Sequence, residues 1–339
     1  MKETDVSRRM FLEGLVGAAV LAGCEPAAKA LRPPRLANVL RLGVLSDLHV
    51  CSEDGDFGKF GDASDFRRAL EWFDRESVDA VIVTGDLADN GMRAQLKKVG
   101  AAWDAVFPGN RASDGAPVEK LFIYGNHDLQ GWFFDGYDRR FFEKSSFDRG
   151  KIATDPAAAW EESFHEPYAP IWTKQVKGHL FIGAHWIGND ADGVRNIEAW
   201  FREHDAEIDR SKPFFYLQHQ PPKGTCFGDT VWGQDGGYAT RALSAYPNAV
   251  AFSGHAHRSA VDERFIWQDA FTSIGVGSLR YTCGEEDDIR DYRDSRQGLL
   301  VTVEGSRLTV SCRDFSHDCP LREAREVLVP TALEREAVR

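Results

Sequence analysis

Five short motifs bring together the residue types that bind metal ions. Asp47-Leu48-His49, Gly85-Asp86, Gly125-Asn126-His127-Asp128, Gln218-His219-Gln220 and Gly254-His255-Ala256-His257 follow one another along the chain, each after an apolar run. They contain five of the ten histidines. Carboxylate and imidazole donors without a thiolate suit manganese, iron, zinc or cobalt. Two divalent ions ~3.5–4 Å apart need such donors and one shared bridge. Asp-x-His and His-x-His at a strand end send two side chains the same way, because strand side chains alternate with period two. Glycines beside them permit a sharp turn and a close approach of substrate to the backbone. A single Asp-x-His or Gly-Asp carries little information, and a single histidine is more often structural than a ligand. Gly-Asn-His-Asp is more specific, and the ordered set is hard to reach by chance. The other histidines, His165, His179, His185, His204 and His317, have no such context.

The elements that must position these motifs are legible in the hydrophobic pattern. Arg41–Ser46, Ala80–Thr84, Lys120–Tyr124, His179–His185, Pro213–Gln218 and Ala249–Ser253 are apolar, β-rich runs. Helical spacing follows several of them: Asp62–Glu76 places Phe66, Leu70 and Phe73 on one face, and Met92–Val106 and Arg195–Ile208 are similar. Strands alternating with helices predict an α/β sandwich, with the site at the C-terminal strand ends. Further on, Phe265–Gln268, Phe271–Val276, Gly298–Val303 and Arg307–Cys312 predict a second, more antiparallel set of strands, with a hairpin turn at Glu304-Gly305-Ser306. Residues 129–178 are rich in aromatic and charged side chains and contain no clean strand. They read as a cap-like insertion of short helices over the site.

On these residues the chain resembles the calcineurin-like metallophosphoesterase superfamily over about residues 40–313. The resemblance implies a four-layer αββα sandwich, two mixed β-sheets flanked by helices, with a dinuclear metal centre. It implies that Asp47, His49 and His257 hold one divalent ion and that Asn126, His219 and His255 hold the other. Asp86 would bridge them. His127 would contact the phosphoryl oxygen or protonate the leaving group, oriented by Asp128. The implied reaction is hydrolysis of a phosphate mono- or diester by a bridging water made acidic by the two metals. Purple acid phosphatases carry a tyrosine ligand where this chain has Asp89, so no ferric–tyrosinate colour is expected. The run from Gly85 to Gly91, with His219 and Pro221-Pro222, is similar to bacterial cyclic-nucleotide phosphodiesterases of the superfamily.

Bulk properties bound the partners. The chain has 339 residues, 42% hydrophobic and 12% aromatic, enough for a sizeable core. A formal net charge of -12 opposes a nucleic-acid polymer or an anionic bilayer as main partner. A small phosphate ester can still bind where metal ions reverse the local sign. At the N-terminus, Ser7-Arg8-Arg9-Met10-Phe11-Leu12, a short apolar stretch and Leu21-Ala22-Gly23-Cys24 resemble a twin-arginine export signal ending in a lipobox. Glu13 interrupts the apolar residues, and a spanning helix needs about 20 of them. The expected organisation is a signal at 1–23 with Cys24 lipidated, a tether at 24–38, a catalytic domain at 39–319 and a tail at 320–339 that straps on or frays. The protein would then be exported and anchored to a membrane only through its lipid.

Five cysteines remain after Cys24, an odd number, and none is in a Cys-x-x-Cys pair. Cys312 and Cys319 either pair or stay free. Trp132, Phe133, Phe134, Trp160, Tyr168 and Trp172 in the insertion, with Trp232 and Tyr238, either rim the site and stack a base or pack a small core of their own, which is the commoner case. Arg139, Arg140, Lys144, Lys223 and Arg258 are candidates for a second phosphate charge. A competing function is a metal-binding scaffold lipoprotein that keeps the fold but little catalysis. Such proteins usually lose ligands or the catalytic histidine, and none is missing here.

Overall fold

The computed structural model describes residues 32–51, 63–129, 155–187, 192–228, 233–283 and 295–332. The chain divides into Met1–Arg32 and Pro33–Arg339, and the fold below is that of the second unit. The expected export signal with Cys24, most of the expected tether, Trp132, Phe133, Phe134, Arg139, Arg140, Lys144 and Trp232 lie outside the described residues.

In chain order the elements begin with β1 (Val39–Leu45), α1 (Ser64–Arg75), β2 (Ala80–Val83), α2 (Arg93–Val106), β3 (Glu119–Phe122), α3 (Pro156–Phe164), β4 (Ile171–Val176) and β5 (His179–Ala184). They continue with α4 (Ile197–His204), β6 (Phe214–Leu217), α5 (Tyr238–Leu243), β7 (Ala249–Ser253), β8 (Ile266–Gln268), β9 (Thr272–Gly275), β10 (Gln297–Glu304), β11 (Arg307–Asp314), β12 (Cys319–Pro320) and β13 (Arg325–Leu328).

The strands form two sheets. One runs in the order β12-β11-β10-β1-β2-β3, with β13 also paired to β11. Here β1, β2 and β3 are parallel, and β10 is antiparallel to β1. The other runs β4-β5-β6-β7-β9-β8, parallel at its centre and antiparallel at both edges. Side-chain alternation sorts each strand between two cores. In β6, Phe215 and Leu217 face the core between the sheets, while Phe214 and Tyr216 face α4 and α5. In β1 and β2, Leu42, Val44 and Ile82 face inward, while Leu45, Val81 and Val83 meet Phe66, Leu70 and Phe73 of α1 and Trp103 of α2. Both sheets are thus covered on both faces, which is why their strands read as continuous apolar runs. The four layers are helix, sheet, sheet, helix, as the resemblance implied.

Three expectations are corrected. The late strands are not a separate antiparallel set: β8 and β9 extend the second sheet, while the β10–β11 hairpin extends the first beside β1. The insertion does contain a strand. β4 pairs with β5 in register from Ile171 opposite Ala184 to Val176 opposite His179, so its residues belong to the sheet edge. Helix α3 starts at an N-cap, Asp155, whose carboxylate accepts from Ala158 N, with Pro156 in the first turn. It packs on the core under α2 rather than over the site, and Trp160 meets the rings of Tyr124 and His185 edge-on. Tyr168 joins that cluster, and Trp172 donates from Nε1 to Phe122 O. These aromatics fill the domain core. Finally, the boundary at 319/320 does not end the sheet, because β13 pairs with β11, Leu308 opposite Val327. Cys312 and Cys319 are free thiols, the first buried and the second exposed. Among the described residues no helix is long and apolar enough to cross a membrane.

Candidate metal centre

The motif residues converge where the C-terminal ends of β1, β2, β3, β6 and β7 meet. Beyond β1 and β2 the ladder continues irregularly: Asp47 N donates to Gly85 O, His49 N to Asp86 O and Val50 N to Leu87 O. Asp47 and His49 therefore sit against Asp86. From the other sheet, His255 N donates to both carboxylate oxygens of Asp47 at 3.2 and 3.1 Å. That contact joins the two sheets at the site.

The reason Asp47 and His49 point together differs from the one expected. Neither lies in a strand. Asp47 (φ 53°), His49 (φ 44°), Asp86 (φ 52°), His255 (φ 64°) and His257 (φ 50°) all occupy the left-handed region. Each such residue costs about 1–2 kcal/mol. Clustered strain of this kind marks functional sites. The neighbouring glycines serve the protein's own atoms rather than a substrate. A Cβ on Gly254 would overlap the Ser46 hydroxyl and approach Asp47 Oδ2 to 2.5 Å, and one on Gly125 would run into the Asp86 carboxylate.

Two donor groups share Asp86. In the first, His257 Nε2 lies 3.3 Å from Asp47 Oδ1, and His49 Nε2 lies 3.2 Å from His257 Nε2 and 3.6 Å from Asp86 Oδ2. In the second, His219 Nε2 lies 3.2 Å from Asp86 Oδ2 and 3.1 Å from His255 Nδ1. Asp47, His49, Asp86 and His257 can together hold a cation, as can Asp86, His219 and His255. Asn126 sits between Gly125, packed on Asp86 and His219, and His127, whose N–H donates to Asp86 Oδ1. Its side-chain oxygen is buried and has no hydrogen-bond partner, which a cation would remedy.

Outer contacts select the ligating nitrogens. His49 Nδ1 lies 3.1 Å from Asp89 Oδ1, His257 Nδ1 donates to Tyr281 O, and His219 Nδ1 donates to Thr84 O. Each leaves Nε2, the atom that faces the other donors, to be taken by a cation or a proton. Two imidazole lone pairs at 3.2 Å repel unless a cation or proton lies between them. The donor set thus fits metal ions, with the outer partners that metal-binding histidines require. A third group, His49, Asp89 and His127, is of the other kind: its Nδ1 atoms are committed to Asp89, so it supports the centre rather than forming one.

Charge follows burial and neighbours. Burial pushes His49 well below the usual imidazole range, helped by the charge of His127. Burial and His219 bring His255 down to about 3. His219 behaves oppositely: burial pulls it down, but Asp86 and Asp47 raise it to about 9. Burial would raise Asp86, yet His219 and His127 hold it well below the carboxylate range. Burial and the Asp86 charge lift Asp128 to about 7, against backbone N–H donors.

Asp128 does not orient the His127 ring directly. Its oxygens accept from Ala88 N (2.6 Å) and Gly125 N (2.7 Å), so the carboxylate clamps the loops after β2 and β3. The His127 ring is set by Asp89, whose carbonyl accepts from Nδ1 at 2.7 Å. Asp89 and Arg280, which form an ion pair, are the site residues that motif reasoning missed. Asp89 stood out only as a replaced tyrosine, and Arg280 lies in no motif.

Comparison with known proteins follows from this geometry. The chain covers 86% of itself and 99% of a dimetal phosphatase from Danio rerio, at 11% identity and a TM-score of 0.50. A purple acid phosphatase from yellow lupin (Lupinus luteus) seeds matches at 15% identity and a TM-score of 0.55, with 86% of this chain and 54% of that one covered, so this chain spans about half its length. The anchor of the inner membrane complex of Plasmodium matches at 12% identity and a TM-score of 0.50, over 88% and 94% of the two chains. At these identities the likeness concerns the fold alone. Among curated proteins none matches. The family model described as calcineurin-like phosphoesterase matches residues 40–259, a span that holds every metal-binding candidate from Asp47 to His257, and the chain belongs to that family.

Proposed function

We propose that the protein hydrolyses phosphate esters with two divalent ions, one held by Asp47, His49 and His257 and the other by Asn126, His219 and His255, with Asp86 between them. The observation that carries this reading is the sharing of Asp86 by two donor groups, beside a buried Asn126 oxygen that lacks a partner. Mixed nitrogen and oxygen donors suit manganese, iron, zinc or cobalt. Once bound, the ions would supply Lewis acidity toward the phosphoryl oxygens and a water nucleophile at neutral pH. The chain's own part is proton placement. With Nδ1–H held on Asp89 O, His127 is oriented to carry a proton at Nε2 for a phosphoryl or leaving-group oxygen. Its ring lies edge-on to His49, centroids 4.6 Å apart. Asp128 serves by holding the Gly125 and Ala88 backbones. The complete donor set and the placed His127 favour an enzyme over a scaffold. We also propose that the enzyme is exported and anchored through Cys24, supported by the arginine pair and lipobox-like Leu21–Cys24.

The test is hydrolysis of p-nitrophenyl phosphate and bis-p-nitrophenyl phosphate by metal-stripped, manganese-reloaded protein. Turnover should require metal. His127→Ala should keep both metals and lose about 10²–10⁴ in turnover. Full activity in that variant refutes the role of His127, and two bound metals without turnover of either ester refute the hydrolase.

A further inference from the structure

The loop after β9, residues 277–283, is tied to the segments that carry the metal-binding candidates. Leu279 N donates to Ser46 O at 3.0 Å, Cys283 N to His257 O at 2.6 Å and Gln297 N to Ser278 O at 2.8 Å. Within the loop, Ser278 Oγ accepts from Arg280 N and Tyr281 N. Tyr281 O accepts from His257 Nδ1, and its ring lies against the His257 ring, centroids 4.4 Å apart. Arg280 is therefore carried on a fixed support at the edge of the centre.

Its guanidinium forms an ion pair through Nη1 with Asp89, the carboxylate that faces His49 Nδ1. The Arg280 side chain is 19% exposed. Among the described residues its Nε and Nη2 have no side-chain or carbonyl partner, and neither is among the buried polar atoms that lack one. A solvated surface arginine is neither anchored nor withdrawn in this way. A guanidinium with one nitrogen committed to a carboxylate and further donors not buried is a fork for an oxyanion.

We propose that Arg280 binds the non-bridging oxygens of the phosphoryl group and selects dianionic phosphate monoesters over monoanionic diesters. This rests on the phosphoesterase reading of the same centre. Two divalent ions and the guanidinium outweigh the buried carboxylates of Asp47, Asp86 and Asp89, so the loaded centre attracts a dianion. A monoester has one more terminal oxygen and one more negative charge than a diester, and gains more from the added cation.

The experiment compares the full chain, manganese-loaded, with Arg280→Met and Arg280→Lys. It measures metal content, KM and kcat for both nitrophenyl esters, and calorimetric binding of inorganic phosphate. Arg280→Met should keep both metals, raise KM for the monoester about tenfold or more, move the monoester-to-diester preference toward the diester by a similar factor, and weaken phosphate binding as much. Arg280→Lys should recover part of each loss. Unchanged ester preference and phosphate affinity overturn the proposal. So does loss of metal with an equal fall for both esters, since Arg280 would then act only by holding Asp89 on His49. If the unaltered protein turns over neither ester but binds phosphate, and Arg280→Met does not, the anion contact stands while the hydrolase reading falls.

Discussion

An imidazole binds a metal ion only through a nitrogen that has given up its proton, and in this centre the choice is made by groups outside it. Asp89, Tyr281 O and Thr84 O face Nδ1 of His49, His257 and His219. His255 is turned the other way, with Nδ1 toward His219. The Asp86 and Asp47 charges that raise His219 to about 9, against its burial, also make it the proton that a metal must displace. In the metal-free chain His219 is charged at neutral pH. Metal and proton compete for Nε2, so affinity should rise about tenfold per pH unit from this group and level off above pH 9. Titrating stripped protein with zinc at pH 7 in two buffers of different ionisation enthalpy should reveal net proton release. A proton count of zero would show that His219 is already neutral.

At the scale of elements, the site depends on where strands stop. β1, β2 and β7 end two or three residues before their ligating candidates, and the chain leaves extended geometry through left-handed residues. The strands themselves are held by apolar packing on both faces, so the local strain is supported by elements that need not bend. The C-terminal β13 contributes to that support. It pairs with the first half of β11, and Val327 enters the core between the sheets beside Leu308 and Val310. Val327→Ala should lower unfolding stability by roughly 1.5 kcal/mol, seen as a lower urea midpoint at unchanged slope. An unchanged midpoint would mean that β13 detaches before the sheet unfolds.

For the molecule as a whole, the acidic balance and the proposed N-terminal signal bear on where it works. A net charge of -12 leaves the protein without long-range attraction to an anionic bilayer, so the membrane location we propose would depend on a lipid at Cys24. One acyl chain gives marginal binding, while the several chains of a lipidated cysteine hold firmly. Expressed in a bacterium with a twin-arginine pathway, the protein should fractionate with membranes on the extracytoplasmic side. Cys24→Ser should remain associated only through its uncleaved leader or be lost from export, and Arg8→Lys with Arg9→Lys should keep it in the cytoplasm. Recovery of the unaltered protein as soluble cytoplasmic material would overturn the assignment.

What the sequence by itself determined is what repeats locally. Apolar runs of five to seven residues predicted the central strands, because strands covered on both faces lose their alternation; periodic Phe66, Leu70 and Phe73 predicted α1; and motif order named every member of both donor groups. Other features depended on which distant segments meet. β4 was hidden because an edge strand, half exposed and rich in Trp172, Thr173, Lys174 and Gln175, lacks a buried strand's apolar run. The allocation of β8–β9 and β10–β11 to different sheets is a matter of pairing partners, which a strand's own residues do not encode. Asp89 and Arg280 lie 191 positions apart, and their ion pair exists only because the loops after β2 and β9 converge beside His49. The paired glycines, too, became intelligible only when Asp47 and Asp86 were seen to occupy the space a Cβ would take. Tertiary structure decided these points because each depends on contacts between segments far apart in the chain, where neither periodicity nor motif spacing carries information.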